Sequence, residues 1–194
     1  METKCPNCNS CNINKRGYYN SQVNGKQQRY FCKDCNKKFI EQKGFYRLHQ
    51  FEKQEMIVIC EPEDSYKWYD KMLNFTVDVF KQLEIPVRTL ECCSGDLADL
   101  KAKSADVEAW SPRQKKYFEV GSCSNLTDAQ ARRLNIRIEG KGKIYFAHTL
   151  NNTVLASPRA LVAFLENHQQ KDGSIKIPSA LQPYMFGKKV ISKK

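Results

Sequence analysis

Residues 104–122, SADVEAWSPRQKKYFEVGS, contain two strand-like segments on either side of a turn sequence. Polar and apolar side chains alternate over residues 104–110. Residues 115–122 form a short segment that contains Tyr117, Phe118 and Val120, so both segments predict β-strands. The residues between them, SPRQ, include serine and proline and predict a tight turn. The stretch therefore predicts an antiparallel pair of strands.

The chain before this pair predicts a long strand, a helix and a short strand. Residues 46–62 predict the long strand. Asp64 or Ser65 can cap a helix that ends near Leu83, before Pro86, and residues 87–93 predict the short apolar strand. Apolar residues recur at helical spacing along the helix: Trp68, Met72, Phe75, Val79 and Leu83.

The chain after the pair predicts two more helices and a hairpin. Residues 128–134 predict a short helix, and NIRIE and IYFAHTL flank a Gly-Lys-Gly turn. Ser157 can cap the last helix, with Pro158 at its first position. Its apolar side would comprise Leu161, Val162, Leu165 and His168. Antiparallel strands with a few helices predict an α+β domain.

Composition and charge restrict the class of protein. The chain has 194 residues, 41% of them hydrophobic, which fits one ordinary domain or a small module and a medium one. No apolar run approaches the roughly 20 residues that span a bilayer, and the first residues lack a signal segment, so we expect a cytoplasmic protein without a membrane partner. The net charge is +11, and residues 1–45 carry nine Lys and Arg against three acidic residues. This excess favours a polyanion partner such as nucleic acid, although a basic soluble surface has the same composition.

Two CxxC pairs near the N-terminus predict a structural metal site. Cys5 and Cys8 form the first pair and Cys32 and Cys35 the second. Each pair can present two thiolates to one tetrahedral Zn²⁺. A segment of about 40 residues cannot bury enough apolar surface to fold alone, so the metal would supply the folding free energy. Cys11 is interpreted as a bystander, although it could replace Cys8.

The residues between the two CxxC pairs predict a hairpin with a turn at Asn24-Gly25. Aromatic residues lie among basic residues there: Tyr18, Tyr19, Arg29, Tyr30 and Phe31. Either they form a nucleic-acid-binding face, or some of the aromatic rings cover a small core around the metal. Residues 4–39, with CPNC and GKQQRYFCKDCNKKF in that order, resemble the N-terminal zinc ribbons of insertion-sequence transposases. The resemblance implies a zinc ribbon over residues 1–40 that contacts nucleic acid.

The predicted strand 46–62 has an unusually polar face. Alternation places five residues on it: Arg47, His49, Phe51, Lys53 and Glu55. A cation, an aromatic ring and a carboxylate at this spacing suit a nucleotide ligand, but a solvated sheet face has the same pattern. Arg159 follows Ser157-Pro158 in the first turn of the last helix, where a cation opposes the helix dipole. It can meet an anion held at the helix end, or simply be exposed. Glu119, between Phe118 and Val120, could join another carboxylate in a Mg²⁺ site, or face solvent.

Several stretches resemble the C-terminal catalytic region of seryl-tRNA synthetases. They are GFYRLHQFEKQE (44–55), PEDSYKWYDKM (62–72), the continuous segment from CCSGDL to RRLNIR (92–137) and the segment from HTLNNT to LQPYM (148–185), in the family's order. The resemblance covers about residues 44–191. It implies an antiparallel class II synthetase sheet with flanking helices over residues 44–194, ATP-dependent serine activation, and transfer of serine to tRNA(Ser).

The same resemblance implies roles for individual residues. Arg47 would hold a phosphate, Phe51 would stack on adenine, and Glu119 would bind Mg²⁺ and ATP. Arg159 would contact the terminal phosphate of ATP. The serine contacts would be Glu55, Asn151 and Thr153.

The chain also departs from the family's pattern. The tRNA-gripping helical arm, motif 1 with its dimer interface, the Thr-x-Glu serine contact and the first strand of motif 2 have no counterpart. We therefore expect a fusion of a ribbon with part of a synthetase, joined at residues 37–43, with an exposed edge at strand 46–62. The sequence predicts a serine–tRNA ligase-like protein of reduced activity. The alternative is a zinc-ribbon nucleic-acid-binding protein with a vestigial synthetase domain.

Overall fold

The computed structural model describes residues 5, 8, 10–21, 25–40, 48, 50–140 and 142–192, and only the backbone of residues 17–21, 25–27 and 39–40. The chain forms two compact units, Met1–His49 and Gln50–Lys194. The expected junction at residues 37–43 lies partly outside the described residues. The division into domains 1–40 and 44–194 therefore stays a prediction.

The first unit contains a three-stranded antiparallel sheet. Its strands are β1 (Ile13–Ser21), β2 (Gly25–Cys32) and β3 (Lys38–Ile40), in that spatial order. The pairing of β1 with β2 confirms the predicted hairpin, whereas Asn24 in its turn lies outside the described residues.

The second unit is built from short strands and three α-helices. In chain order its first elements are β4 (Lys53–Cys60), α1 (Ser65–Gln82), β5 (Val87–Glu91), β6 (Lys103–Ser111), β7 (Lys116–Asn125) and α2 (Ala129–Leu134). They are followed by β8 (Arg137–Gly140), β9 (Lys143–Phe146), β10 (His148–Ala156), α3 (Ser157–His168), β11 (Ile175–Lys176) and β12 (Val190–Ile191). Short 3₁₀ turns cover Pro62–Asp64, Ser179–Leu181 and Pro183–Met185. No helix in the described part of the chain is long and apolar enough to cross a bilayer.

Five strands form the central antiparallel sheet in the order β4-β10-β7-β6-β5. The sheet confirms the α+β class and the hairpin predicted over residues 104–122. A β-bulge interrupts the β6–β7 pairing, because Val107 pairs with Gly121 but Glu108 pairs with Glu119. Val120 is the extra residue, and from this point the alternation of β7 is reversed.

One face of the sheet packs against α1. Ala105, Cys123 and Leu150 of the strands meet Tyr69 and Met72 of the helix in a buried apolar cluster. The buried side of α1 therefore differs from the predicted one. Of the predicted apolar residues only Met72 is buried, and Phe75 is exposed. The other face of the sheet carries mostly polar side chains.

Two predictions about boundaries are wrong. The strand expected over residues 46–62 spans only Lys53–Cys60, since Leu48 and residues 50–52 are described but are not in a strand. Ser157 does not cap α3, because it lies inside the helix and its hydroxyl donates to the Glu52 carbonyl instead.

The predicted apolar side of α3 is wrong in part, since only His168 of the four predicted residues is buried. The helix packs through small residues and His168, and it leaves Leu161 and Leu165 exposed. Alanine side chains allow the helix to approach the sheet closely, which the larger leucines would prevent.

Candidate active site and candidate metal centre

Glu55 of β4 and Thr153 of β10 lie directly opposite each other on the polar face of the sheet. The Thr153 hydroxyl donates to Glu55 Oε2 over 2.9 Å. Asn151 is two residues earlier on β10 and therefore shares this face, whereas Asn152 points to the α1 side and donates to the Met72 carbonyl. Three predicted serine contacts are thus adjacent on two paired strands.

Lys53 belongs to the same group. Its Nζ lies 2.6 Å from Glu55 Oε2 and 3.5 Å from Thr153 Oγ1. The sequence placed Lys53 on this face by alternation, but neither the pattern nor the resemblance gave it a role.

Glu119 and Arg159 form a second group. Arg159 Nη1 lies 3.0 Å from Glu119 Oε2 and donates to the Glu119 carbonyl oxygen over 3.1 Å. The two side chains are only 28% and 17% exposed. The bulge at Val120 turns Glu119 to the same face as Glu108 and Asp106. The arginine in the first turn of α3 therefore does meet an anion, and that anion belongs to the chain.

The start of α3 is held against the segment that leads into β4. Both the amide and the hydroxyl of Ser157 donate to the Glu52 carbonyl, over 3.1 and 2.7 Å. Phe51, the preceding residue, is 49% exposed, so a large part of its ring is accessible to a ligand. Arg47 lies outside the described residues.

The two groups are connected by a close approach of β7 to β10. A Cβ atom added to Gly121 would lie 2.4 Å from the Thr153 carbonyl oxygen, so only glycine fits without a shift of the backbone. Gly121 is two residues from Glu119, and Thr153 belongs to the Glu55 group. The Glu119–Arg159 pair and the Glu55–Thr153 pair therefore occupy neighbouring parts of the sheet.

Two further carboxylates lie on the polar face of β6. Burial, followed by repulsion from Glu119, raises the pKa of Asp106 above its ordinary value. Glu108 pairs with Arg88 over 2.6 Å. Sequence reasoning missed both residues, although the alternation in SADVE already placed them on one face.

The four predicted metal-binding cysteines converge in the first unit. The Sγ atoms of Cys5, Cys8, Cys32 and Cys35 all lie within 4.8 Å of one another. Two of the separations are short: Cys5–Cys35 is 3.6 Å and Cys8–Cys32 is 3.5 Å. A tetrahedral ion with Zn–S bonds of about 2.3 Å requires sulfur separations of roughly 3.8 Å. The donor set and its dimensions therefore fit Zn²⁺.

Hydrogen bonds hold the second cysteine pair against the segment after the first. Ser10 and Asn12 donate to the two carboxylate oxygens of Asp34, and these bonds lower the pKa of that carboxyl group. Cys11 is exposed and does not belong to the four-cysteine group. Its interpretation as a bystander is consistent with this position.

The two faces of the three-stranded sheet differ in chemistry. Tyr30 packs with Cys5, Cys32 and Ile13 on the cysteine side. A cavity of about 300 Å³ is lined by Arg16, Arg29, Tyr30, Phe31 and Lys38. Within this group, the Arg16 guanidinium lies 5.3 Å from the centre of the Phe31 ring. Tyr30 therefore belongs to the small core on the cysteine side, whereas Arg29 and Phe31 line the cavity on the other side, for which a nucleic-acid ligand stays a prediction. The side chains of Tyr18 and Tyr19 lie outside what the structure describes.

A family comparison matches most of the chain. The tRNA synthetase class II core domain (G, H, P, S and T) matches residues 30–168. The chain belongs to this family.

Individual relatives agree on the serine branch of the family. The serine–tRNA ligase of Dictyoglomus turgidum is 52% identical over 141 residues, which is 72% of this chain and 33% of the relative. The serine–tRNA ligase of Thermococcus sibiricus is 49% identical over 148 residues, which is 75% of this chain and 32% of the relative. The chain is therefore seryl-tRNA synthetase-like, and it spans about a third of the length of these curated relatives.

A solved structure with the same fold is the seryl-tRNA synthetase from Pyrococcus horikoshii complexed with ATP. It superposes with a TM-score of 0.76 at 45% identity over 86% of this chain and 37% of that one. The cytoplasmic serine–tRNA ligase from Naegleria fowleri in complex with AMP gives a TM-score of 0.72 at 40% identity, over 78% and 36% of the two chains. The truncated class II sheet expected from the sequence is thereby confirmed.

Proposed function

We propose that the chain binds ATP, Mg²⁺ and serine and forms seryl-adenylate. The observation that supports this best is the single sheet face that holds Glu55, Thr153, Glu119 and Arg159 in two hydrogen-bonded pairs. The alternative of an inactive synthetase domain is not favoured, because the chain keeps about 50% identity to serine–tRNA ligases over 72–75% of its length.

The serine pocket would be formed by the β4–β10 pair. The Glu55 carboxylate accepts hydrogen bonds, so it suits the ammonium group of an amino acid. The Thr153 hydroxyl already donates its proton to Glu55 and accepts from Lys53, so its remaining lone pair can accept the serine hydroxyl. Asn151 would add an amide contact at the same face.

The nucleotide site would lie beside the start of α3. Phe51 offers an accessible ring on which adenine can stack. The Arg159 guanidinium would leave Glu119 and pair with the terminal phosphate instead. Arg47 would hold a second phosphate. Glu119 would then be free to bind Mg²⁺, which prefers carboxylate oxygens and would neutralise phosphate charge.

The chain would act by positioning and charge neutralisation. A carboxylate oxygen of serine attacks the α-phosphorus of ATP, the bond to the bridging oxygen breaks, and pyrophosphate leaves with its electron pair. Neither a proton nor a covalent enzyme intermediate is required in this step. The charged residues of the sheet face therefore only need to hold the reacting groups in line.

The test is serine-dependent exchange of labelled pyrophosphate into ATP by the full chain loaded with zinc. We expect exchange in the parent, none in Glu119→Ala, and little with alanine in place of serine. Equal exchange by the parent and Glu119→Ala would show that the site is misassigned. No exchange above background at millimolar serine would refute the proposal.

Transfer of serine to tRNA(Ser) is proposed as the second half of the reaction. The relatives that support it are about three times longer than the matched segment. Aminoacylation of transcribed tRNA(Ser), with tRNA of another specificity as control, tests this step directly.

For the first unit we propose a zinc ribbon that binds nucleic acid through the sheet face opposite the cysteines. Three cations around an aromatic ring on that face suit phosphates and a base. Affinity for a labelled oligonucleotide should fall with salt, and should fall in Arg16→Gln and Lys38→Gln. Lys15→Gln removes the same charge next to Arg16 and serves as the control. Affinity that is unchanged by chelation and by both test variants would contradict this proposal.

A further inference from the structure

Two donors share one oxygen of the Glu55 carboxylate. Lys53 Nζ lies 2.6 Å from Oε2, and the Thr153 hydroxyl donates to the same oxygen over 2.9 Å. No hydrogen bond from the described part of the chain reaches Oε1. The carboxylate is therefore held at one oxygen and open at the other.

The Lys53–Glu55 pair is a poor candidate for a stabilising interaction. The two side chains are 45% and 27% exposed, and ion pairs of this kind contribute little to folding because solvent screens them. Lys53 instead limits the rotation of the Glu55 carboxylate. A carboxylate with a single partner can rotate about its terminal bond, whereas two donors from different directions fix its plane.

We propose that Lys53 is a positioning residue for the amino-acid substrate. With Thr153, it holds Glu55 so that Oε1 receives the substrate ammonium group. The same arrangement directs the Thr153 proton to Glu55 and uses one Thr153 lone pair for Lys53, so that the remaining lone pair selects a substrate whose side chain can donate from a hydroxyl group. This inference rests on the proposed serine-activating function and extends it to a residue that neither the sequence pattern nor the family resemblance singled out.

A competing arrangement is that the Lys53 ammonium occupies the position of the substrate ammonium. In that case Lys53 would inhibit binding, and its removal would tighten it. The two arrangements therefore predict opposite changes in affinity, and a single substitution separates them.

The experiment is calorimetric titration of the zinc-loaded full chain with seryl-sulfamoyl-adenosine, its alanyl counterpart and ATP. Binding of these probes does not require turnover. The variants are Lys53→Met, which keeps the aliphatic stem, and Lys53→Arg, which keeps the charge. Lys81→Met is the matched control, because Lys81 also forms an exposed ion pair, with Asp78 on α1.

We expect Lys53→Met to bind the seryl probe about tenfold more weakly, as for loss of a charged hydrogen bond. The preference for the seryl over the alanyl probe should fall with it, while ATP affinity and the Lys81→Met control stay unchanged. Lys53→Arg should restore most of the affinity, which a merely structural defect would not allow.

Three results would overturn the inference. Unchanged seryl affinity in Lys53→Met would show that Glu55 needs no second donor, and tighter binding would identify Lys53 as a competitor. Both results would leave serine activation intact. A parent chain that binds ATP but not the seryl probe would refute the proposed function, and the role of Lys53 would be refuted with it.

Discussion

Arg159 in α3 and Glu119 in β7 neutralise each other on the polar face of the central sheet, with Nη1 and Oε2 3.0 Å apart. Both residues are assigned to ATP in the proposed reaction, so each must exchange its partner when the nucleotide binds. Without ligand, each of these mostly buried charges therefore has the other as its partner, and this leads to the first prediction.

Exchanging the two charges separates stability from activity. Arg159→Met and Glu119→Gln each leave a mostly buried charge without its partner, and we expect each to lower the free energy of unfolding by about 1–3 kcal/mol. The double variant Glu119→Arg with Arg159→Glu should recover much of that loss. It should not recover pyrophosphate exchange, because the charges toward phosphate and metal are reversed.

Urea unfolding and pyrophosphate exchange on the four proteins check this prediction. Arg133→Met, which removes an exposed arginine on α2, is the control. Recovery of exchange by the double variant would mean that the pair has only a structural role.

The metal site predicts a coupled loss of zinc and fold in the first unit. Cys32→Ser removes a buried cysteine of the proposed zinc site, and since a zinc ribbon of this size would depend on the metal for its folding free energy, we expect loss of both zinc and the β1–β3 structure. Cys11→Ser should keep a full equivalent of zinc. Elemental analysis and amide hydrogen exchange of residues 13–40 measure the two effects. Full zinc content in Cys32→Ser would contradict the assigned ligands.

Asp106 predicts a pH dependence of stability with a definite sign. Its pKa is raised in the folded chain by burial and by Glu119, whereas an unfolded aspartate titrates near 3.9. Between these two values the folded chain holds a proton that the unfolded chain has released, so the contribution of Asp106 to stability falls as pH rises through this window. Asp106→Asn does not titrate and avoids this loss.

We therefore expect Asp106→Asn to become more stable than the parent as pH rises from about 4, and the difference to level off above the raised pKa. Urea titrations over a series of pH values give the difference, with Asp78→Asn on the exposed side of α1 as control. A difference that is constant with pH would mean that Asp106 is not perturbed.

Phe51 predicts a nucleotide-specific effect. Stacking of a base on an aromatic side chain contributes about 1–3 kcal/mol, so Phe51→Ala should weaken ATP binding by roughly tenfold or more. Phe51→Trp should keep the affinity, and Tyr184→Ala, at another exposed ring, should leave it unchanged. Calorimetric ATP titrations distinguish these variants. Equal affinity in Phe51→Ala would place adenine elsewhere.

The β4 edge predicts self-association. Ile57 and Ile59 are 70% and 55% exposed, and within the described residues β4 pairs only with β10. An apolar edge strand recruits other strands, so Ile57→Thr with Ile59→Thr should reduce light scattering on concentration while leaving the melting temperature nearly unchanged. Scattering that is independent of both residues would exclude this edge as the cause.

The sequence predicted where the helices and strands lie better than it predicted which of their sides are buried. Helix α1 was expected to begin at a cap formed by Asp64 or Ser65 and to end near Leu83, and it spans Ser65–Gln82, although Asp64 at its N-cap forms no side-chain capping hydrogen bond. Its buried side was misplaced, since Tyr69 and Phe80 face the sheet while Phe75 does not. Which side is buried depends on the register of the strands beneath the helix, and local spacing does not encode that register.

The candidate active site was likewise predicted only in part: the sequence indicated most of its residues, but not their orientation or contacts. The roles of Glu55, Thr153, Glu119 and Arg159 were inferred from resemblance, and the structure brings these residues together in pairs, although their contacts with ligands remain predictions. The bulge at Val120 had no sequence signal, because alternation alone would have placed Glu119 on the same face as Gly121. Lys53 was visible in the alternation, but its shared contact with Glu55 depends on a residue of β10 that is distant in sequence.

The order of the strands has a consequence for the newly made chain on the ribosome. Among the five described strands of the central sheet β4 is synthesised before the others, yet its partner β10 follows only after residues 61–147. At translation rates of about 5–20 residues per second, β4 waits roughly 4–20 seconds for its partner. During this interval its isoleucines are available to chaperones and to neighbouring nascent chains. The yield of this protein in cells should therefore respond to translation speed and chaperone supply more than its final fold would suggest.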